Sequence, residues 1–246
     1  MKTIDLNCDL GEGMNTDEQI IPLISSANIA CGFHAGNEST MKRTIELCLQ
    51  HGVAIGAHPS WPDRENFGRT EMNLSEQELY DCVTDQLQVL QNIASTFNTK
   101  LHHVKPHGAL YNQSAKNKII ASTIAKAVKD FDASLILFGL SGSISVTEAE
   151  LLGLKTAHEV FADRTYLDDG SLTPRSRPDA LIEDETIAVQ QALQMIQQGT
   201  VATISGKIIP VKADTICLHG DGMHAAAFCK LINQQLKQSG IEIKAI

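Results

Sequence analysis

The sequence predicts an α/β fold, a closed or nearly closed β/α barrel of about seven parallel strands. Three features point there. Short β-like runs alternate with helical patterns along the chain, no Pro-, Gly- or Ser-rich linker divides it, and titratable residues recur just after the β-like runs. With 246 residues, 43% of them apolar, the chain can bury one core of ordinary size, and a single domain over residues 1–246 is expected.

Strands are expected at residues 3–8, 27–31, 53–55, 101–104, 135–138, 155–160 and 215–218, short runs bounded by turn residues or helical patterns. The helix after Ser75 has the fullest start signal: Ser75 and Glu78 make a capping box, Leu74 and Leu79 a flanking staple, and Leu79, Val83, Leu90, Ile93 and Phe97 keep helical spacing. Met41, Ile45, Cys48 and Leu49 form a second apolar stripe, closed by His51 at its C-terminal end and Gly52 as left-handed cap. Further helices are expected over 118–130, 143–152, 185–198 and 223–238. Residues 201–211 read as two strands joined at Ser205-Gly206, a hairpin that interrupts the βα rhythm. Two long irregular stretches, 58–73 with the single Trp and 161–180, are of the kind that covers a site.

Charge and cysteine usage narrow the function. Lys plus Arg number 20 against 29 Asp plus Glu, a net charge of −9, so nucleic acid and anionic membrane surfaces are disfavoured partners. No apolar window approaches a membrane span and the N-terminal residues do not resemble a secretion signal, so a soluble, cytoplasmic protein is expected. Six cysteines without a Cys-x-x-Cys pair read as reduced thiols rather than disulfides or a zinc ribbon.

A barrel brings the C-terminal ends of its strands to one mouth. At those ends stand Asn7, Asp9 and Glu12; His34; His58; Lys105 and His107; Glu159, Asp163 and Arg164; and His219 and Asp221. Alternation puts Asn7 with Asp9, Gly32 with His34, Gly56 with His58 and Lys105 with His107 on shared faces, the glycines leaving room beneath the imidazoles. One His or Asp after a strand is ordinarily a turn or cap residue, but so many ionisable groups at one mouth are costly to desolvate for packing alone. His102, His103 and His158 lie earlier in their strands and read as structural, and Trp61 and Tyr111 as packing residues. Arg164, Arg175 and Arg177 can pair with Asp163, Asp168, Asp169 and Asp179 of their own loop or recognise an anion.

Three hydrolytic schemes can use such a mouth. Asp9 with two of His34, His58 and His107 could hold a divalent metal and leave a position for water. A metal-free acid/base pair could work instead, with Asp9 and His107 poised by burial and by Lys105. A cysteine nucleophile is the third scheme, but alternation turns Cys8 away from Asp9 and Cys31 away from His34. There is no Gly-x-Ser-x-Gly elbow, and Gly206-Lys207 lacks the rest of a P-loop.

Through IDLNCDLGEG, SANIACGFHAG, GAHPSWPDRENFGR, VKPHGALYN, FADRTYLDDGSLTPR and CLHGD the chain resembles, over essentially its whole length, the LamB/YcsF family, whose members are A subunits of bacterial ATP-dependent 5-oxoprolinases. The resemblance implies a distorted seven-stranded β/α barrel similar to glycoside hydrolases and deacetylases. It also implies ring opening of 5-oxo-L-proline to L-glutamate, coupled to ATP hydrolysis with separate B and C subunits. Matching positions make Asp9, Glu12, His34, His58, Lys105, His107, Asp163, Arg164, His219 and Asp221 the expected site residues, with Asn7 beside them on strand alternation. The sequence departs from the family at Asn37-Glu38, where Asp-Pro is frequent after HAG, and at Gly222-Met223. Two other readings stay open: a metal-dependent carbohydrate or amide deacetylase-like hydrolase acting alone, and a non-catalytic subunit that binds the lactam.

Overall fold

The computed structural model describes residues 2–218 and 225–246. Its strands, in chain order, are β1 (Lys2–Leu10), β2 (Ser26–Ala30), β3 (Ala54–His58), β4 (His103–Val104), β5 (Ile136–Leu140), β6 (Lys155–Phe161), β7 (Thr200–Ala202), β8 (Ile208–Pro210), β9 (Thr215–Leu218) and β10 (Ile241–Ile243). Strands β1 to β6 and β9 pair in parallel, and β9 returns to β1 to close a seven-stranded barrel. The antiparallel hairpin β7–β8 lies outside the barrel, as the 201–211 segment predicts. Strand β10 extends the sheet beyond the barrel by pairing with Lys2–Ile4 of β1, an element that the short Ile-Glu-Ile run does not announce.

The helices are α1 (Asp17–Ile20), α2 (Glu38–His51), α3 (Glu76–Thr96), α4 (Gly108–Lys116), α5 (Lys118–Phe131), α6 (Ile144–Leu151), α7 (Glu185–Gln198) and α8 (Ala225–Gln238). The capping box of α3 forms as expected, Ser75 accepting from Glu78 N while the Glu78 carboxylate accepts from Ser75 N. Helix α2 carries a second one between Asn37 and Thr40 and ends on Gly52 in the left-handed region. Asn37 is thereby a cap and Glu38 an exposed partner of Lys42, which gives the departure from the family pattern a local structural role. Helices α1 and α4 are additions to the predicted set; α4 starts at Gly108 with neither a capping side chain nor an acidic first turn, so no start signal precedes it.

Apolar faces of the helices cover the outside of the barrel and form one core with the outward side chains of the strands, among them Leu6, Cys8, Ile29, Ile55, Val104, Leu137, Val160 and Ile216. The barrel interior is polar along β1 to β4, while Ile136, Phe138 and Ala157 of β5 and β6 form a small apolar cluster of their own. Cα register aligns Asp9 with Asn28, Asn28 with Gly56, and Gly56 with His103 across four neighbouring strands. Side chains at this level hydrogen-bond around the interior: His103 Nε2 donates to Asn28 Oδ1 (2.8 Å), and Asn28 Nδ2 donates to Asn7 Oδ1 (2.7 Å) and Asp9 Oδ1 (2.8 Å). His103 stacks on Phe138 with ring centroids 4.2 Å apart and is structural, as its place within a strand indicates.

Candidate active site

Asp9, Glu12, His58, Lys105, His107 and Arg164 line a single cavity of about 470 Å³ at the C-terminal ends of the barrel strands. Both long loops wall it, 58–73 through Phe67, Arg69 and Glu71, and 161–180 through Leu167, Leu172, Thr173 and Arg175. His34 packs directly behind, its ring parallel to that of His107 at 3.8 Å. Asn7 is fully buried below, donating to Glu159 (2.9 Å) and Thr215 (2.6 Å). Asp163 is half-buried beside the cavity and outside its lining, its carbonyl accepting from Ile182 N. His219 and Asp221 fall outside the described residues.

Local geometry departs from simple strand alternation at two of these positions. Strand β2 ends at Ala30, so His34 sits on a turn closed by Gly32 N donating to Ala35 O, and Gly32 serves that turn rather than vacating space under an imidazole. Room at Gly56 exists but belongs to His103, whose ring occupies the place of the missing side chain. Lys105 and His107 follow the two-residue β4, and loop 58–73 fixes them. Gly108, the first residue of α4, and Gly68 in the loop are both in the left-handed region; Gly68 O accepts from Ala109 N (2.9 Å), and a Cβ on Gly108 would stand 2.6 Å from that oxygen. Arg64, from the same loop, donates to the carbonyls of Gly32 and Gly36 and ties down the turn bearing His34.

Lys105 is the electrostatic centre. Its Nζ donates to Asp9 Oδ1 (3.0 Å), Asn7 Oδ1 (3.2 Å) and Cys217 Sγ (2.9 Å), and pairs with Glu159 Oε1 (2.9 Å). Burial opposes the charge, but Asp9, Cys217 and Glu159 outweigh it and hold the ammonium well above its ordinary range. Burial, followed by the Glu159 carboxylate, pushes the Tyr111 phenol up. Tyr111 also lines the cavity, so it is not only a packing residue.

The histidines are held by backbone. His58 Nδ1 donates to Lys105 O (2.7 Å), and His107 Nε2 donates to Phe67 O (2.9 Å), Phe67 itself having a φ of 57°. Their other nitrogens, His58 Nε2 and His107 Nδ1, face each other at 2.9 Å. His58 Nε2 lies 3.3 Å from Asp9 Oδ2, and Glu12 Oε1 lies 3.2 Å from His34 Nε2 and 3.6 Å from His107 Nδ1. Burial first, then the His58 charge, lowers His34 to about 3, and burial with His58 and His34 lowers His107 to about 2. Glu12, His34, His58 and His107 together form a group able to hold a metal ion, in which all three candidate histidines take part and Glu12 stands where Asp9 was expected.

In the 161–180 loop, buried Arg164 donates to Thr173 O and Ala180 O, and burial lowers it to about 10, leaving it charged near neutrality. Arg177 pairs with Asp179, Asp168 accepts from Thr203 and Ser205, and Asp169 from Ser171, so most of the loop's charges are internally satisfied. Cys8 and Cys31 are buried thiols raised by desolvation, which fits packing. Cys217 is a site member that strand-end reading did not single out, and Glu159 was noted at its strand end without being counted among the expected site residues; Cys217 shares its face of β9 with Thr215, which bonds Asn7, and that period of two is the signal that could have found it.

Comparison with known proteins agrees with this arrangement. The profile of the LamB/YcsF family matches residues 4–246. A protein of Tolumonas auensis named as the A subunit of 5-oxoprolinase is 52% identical over the full length of both chains. The crystal structure of a lactam utilization protein from Thermus thermophilus superposes with a TM-score of 0.94 at 41% identity, again covering both chains fully. A family 4 carbohydrate esterase from Streptomyces lividans shares the fold alone, with a TM-score of 0.55 at 12% identity over all of this chain and 93% of the esterase.

Proposed function

The chain belongs to the LamB/YcsF family, and from that membership together with the cavity's chemistry we propose that it is the A subunit of an ATP-dependent 5-oxoprolinase, opening 5-oxo-L-proline to L-glutamate with separate B and C subunits. The observation that carries the reading is the composition of one small cavity: Asp9 and the His58–His107 pair in reach of the same space, with Lys105, Arg164 and Arg175 at its wall. A five-membered lactam is a stabilised amide. Opening it takes activation of the carbonyl, a base for water and an acid for the departing nitrogen.

The roles divide as follows. The partner subunits use ATP to activate the lactam oxygen. Asp9, oriented by Asn28 and Lys105, takes a proton from the attacking water. Because Nδ1 of His58 and Nε2 of His107 are given to carbonyls, their facing nitrogens are the ones that relay a proton from the attacking water to the departing nitrogen. Lys105 and Arg164 offset negative charge on the carbonyl oxygen, phosphate or substrate carboxylate. The reaction is cytoplasmic, where ATP is available; no helix among the described residues is long and apolar enough to cross a membrane.

Glutamate release by this protein alone, and then with B and C subunits and ATP, tests the reading. Activity is expected only in the complete mixture, and Asp9→Asn and His107→Ala should each lower it by about a hundredfold or more. Unchanged glutamate formation in both variants would overturn the assignment. The Glu12–histidine group favours one other reading, a metal-dependent amide hydrolase acting alone; release of product without partners or ATP, abolished by chelation, would establish that instead.

A further inference from the structure

The facing nitrogens of His58 and His107 pose a problem that the fold does not solve with its own atoms. Each ring gives its only neutral-state N–H to a backbone carbonyl, Lys105 O at 2.7 Å and Phe67 O at 2.9 Å, so two lone pairs are directed at each other across 2.9 Å. Such a contact persists only around a positive occupant. A shared proton is one. The surroundings fit a larger one, because Glu12 and His34 bring two more donors and all four groups lie within 4.8 Å of one another.

Three of the six donor separations are close to those of a metal site. Zinc held at about 2.0–2.1 Å by nitrogen and oxygen ligands in a tetrahedron has ligand-to-ligand edges of about 3.4 Å. The separations here are 2.9 Å between His58 and His107, 3.2 Å between Glu12 and His34, and 3.6 Å between Glu12 and His107. Carbonyls that accept from the remote nitrogens of His58 and His107 fix ring orientation and tautomer as outer-shell partners of metal-binding histidines do. Three imidazoles with one carboxylate suit a zinc-class ion and not magnesium or calcium, which select oxygen ligands.

We infer that Glu12, His34, His58 and His107 form a site for one divalent transition-metal cation of the zinc class. The site goes beyond the lactam-opening reading, since cation binding requires neither lactam nor ATP. Cation and shared proton compete for the same lone pairs, so the proton transfer assigned to the His58–His107 pair describes the cation-free protein. When bound, a zinc-class ion held by all four groups would supply fixed positive charge next to Asp9, which lies 3.3 Å from His58, rather than an open position for water.

The experiment is a cobalt titration of the chelator-stripped, full-length protein, followed by visible absorption and calorimetry, with zinc as competitor. Expected is uptake of one Co²⁺ per chain with the strong visible bands of a four-coordinate site, reversed by Zn²⁺. Glu12→Gln and His58→Gln should each bind at least tenfold more weakly, while Glu71→Gln, on the cavity wall but outside the group, binds as the parent does. Circular dichroism checks that the variants fold, and if they do not, the parent spectrum still decides. No stoichiometric uptake, the faint spectrum of a six-coordinate aqueous ion, or unchanged binding in both folded variants overturns the site. Glutamate formation measured on the same stripped protein separates the two claims: activity without any cation uptake sinks the metal site and keeps the ring-opening reading, whereas tight one-to-one binding without activity in the complete mixture supports the site and counts against that reading.

Discussion

The imidazole of His103 occupies the side-chain place of Gly56: a Cβ on Gly56 would stand 2.0 Å from His103 Nε2 and within 2.4 Å of two ring carbons. Through that gap His103 reaches Asn28, which in turn holds Asn7 and Asp9. The ring cannot simply swing away, since it is fully buried and stacked on Phe138. Gly56→Ala should therefore destabilise the protein by about 3 kcal/mol, at the upper end of overpacking costs. Urea unfolding measures the loss, and a variant as stable as the parent would show that the interior level is more yielding than this geometry allows.

Lys105→Met tests the charge at the barrel's centre. The residue is 2% exposed and its side chain faces Asp9 and Glu159 together, so its removal takes the shared cation from two carboxylates. Breaking a buried pair in this way costs about 3–5 kcal/mol. Adding Glu159→Gln to Lys105→Met should restore part of that stability, which a double-mutant cycle in denaturant would read directly. If Lys105 offsets charge on the lactam as proposed, glutamate formation should not return in the double variant, because that charge is still missing.

Much of this arrangement was legible in the sequence because a parallel barrel converts strand order into proximity. Asp9, His58, Lys105 and His107 are far apart along the chain, yet each follows a short β-like run, and those runs became β1, β3 and β4. Depth was not legible. His34 stands behind His107 because a turn after β2, clamped by Arg64, carries it there, and period-two reasoning ends where the strand does. Period two and strand-end position mark Cys217 and Glu159 as inward candidates, but that they meet Lys105 as acceptor and counter-charge depends on which side chains face each other across the barrel interior, which no local pattern encodes. The same holds for α4, whose start is fixed by the contact of Gly108 with Gly68 and not by a capping residue.

Alkaline pH should loosen the fold through its thiols. Burial pushes Cys31, Cys48 and Cys229 up to about 12 from an ordinary value of 9.0. A folded-state value above the unfolded one means that the native state keeps protons that the unfolded chain releases. Stability is then fully present below about pH 9 and declines from there toward pH 12, by up to about 1.4 kcal/mol per pH unit for each thiol. Denaturant melts at pH 8, 9 and 10 should display the decline. Native protein should meanwhile resist a thiol reagent at pH 8, and all six cysteines should react once it is unfolded.

Arg175 and Arg177 stand two residues apart in the same exposed loop and differ in one respect that predicts function. Arg175 lines the cavity, while Arg177 is outside it and is bound in bidentate fashion to Asp179 at 2.8 and 2.7 Å. If Arg175 receives the carboxylate of the lactam, Arg175→Ala should raise KM in the assay with partner subunits and ATP by about tenfold or more, equivalent to about 1.4 kcal/mol of lost binding, with kcat within about twofold. Arg177→Ala should leave both constants within about twofold, since its charge is already satisfied and screened by water. A fall in kcat with KM unchanged for Arg175→Ala would move that residue from substrate capture to the chemical step. Equal effects in the two variants would mean that the loop acts through its conformation and not through a cation at the cavity wall.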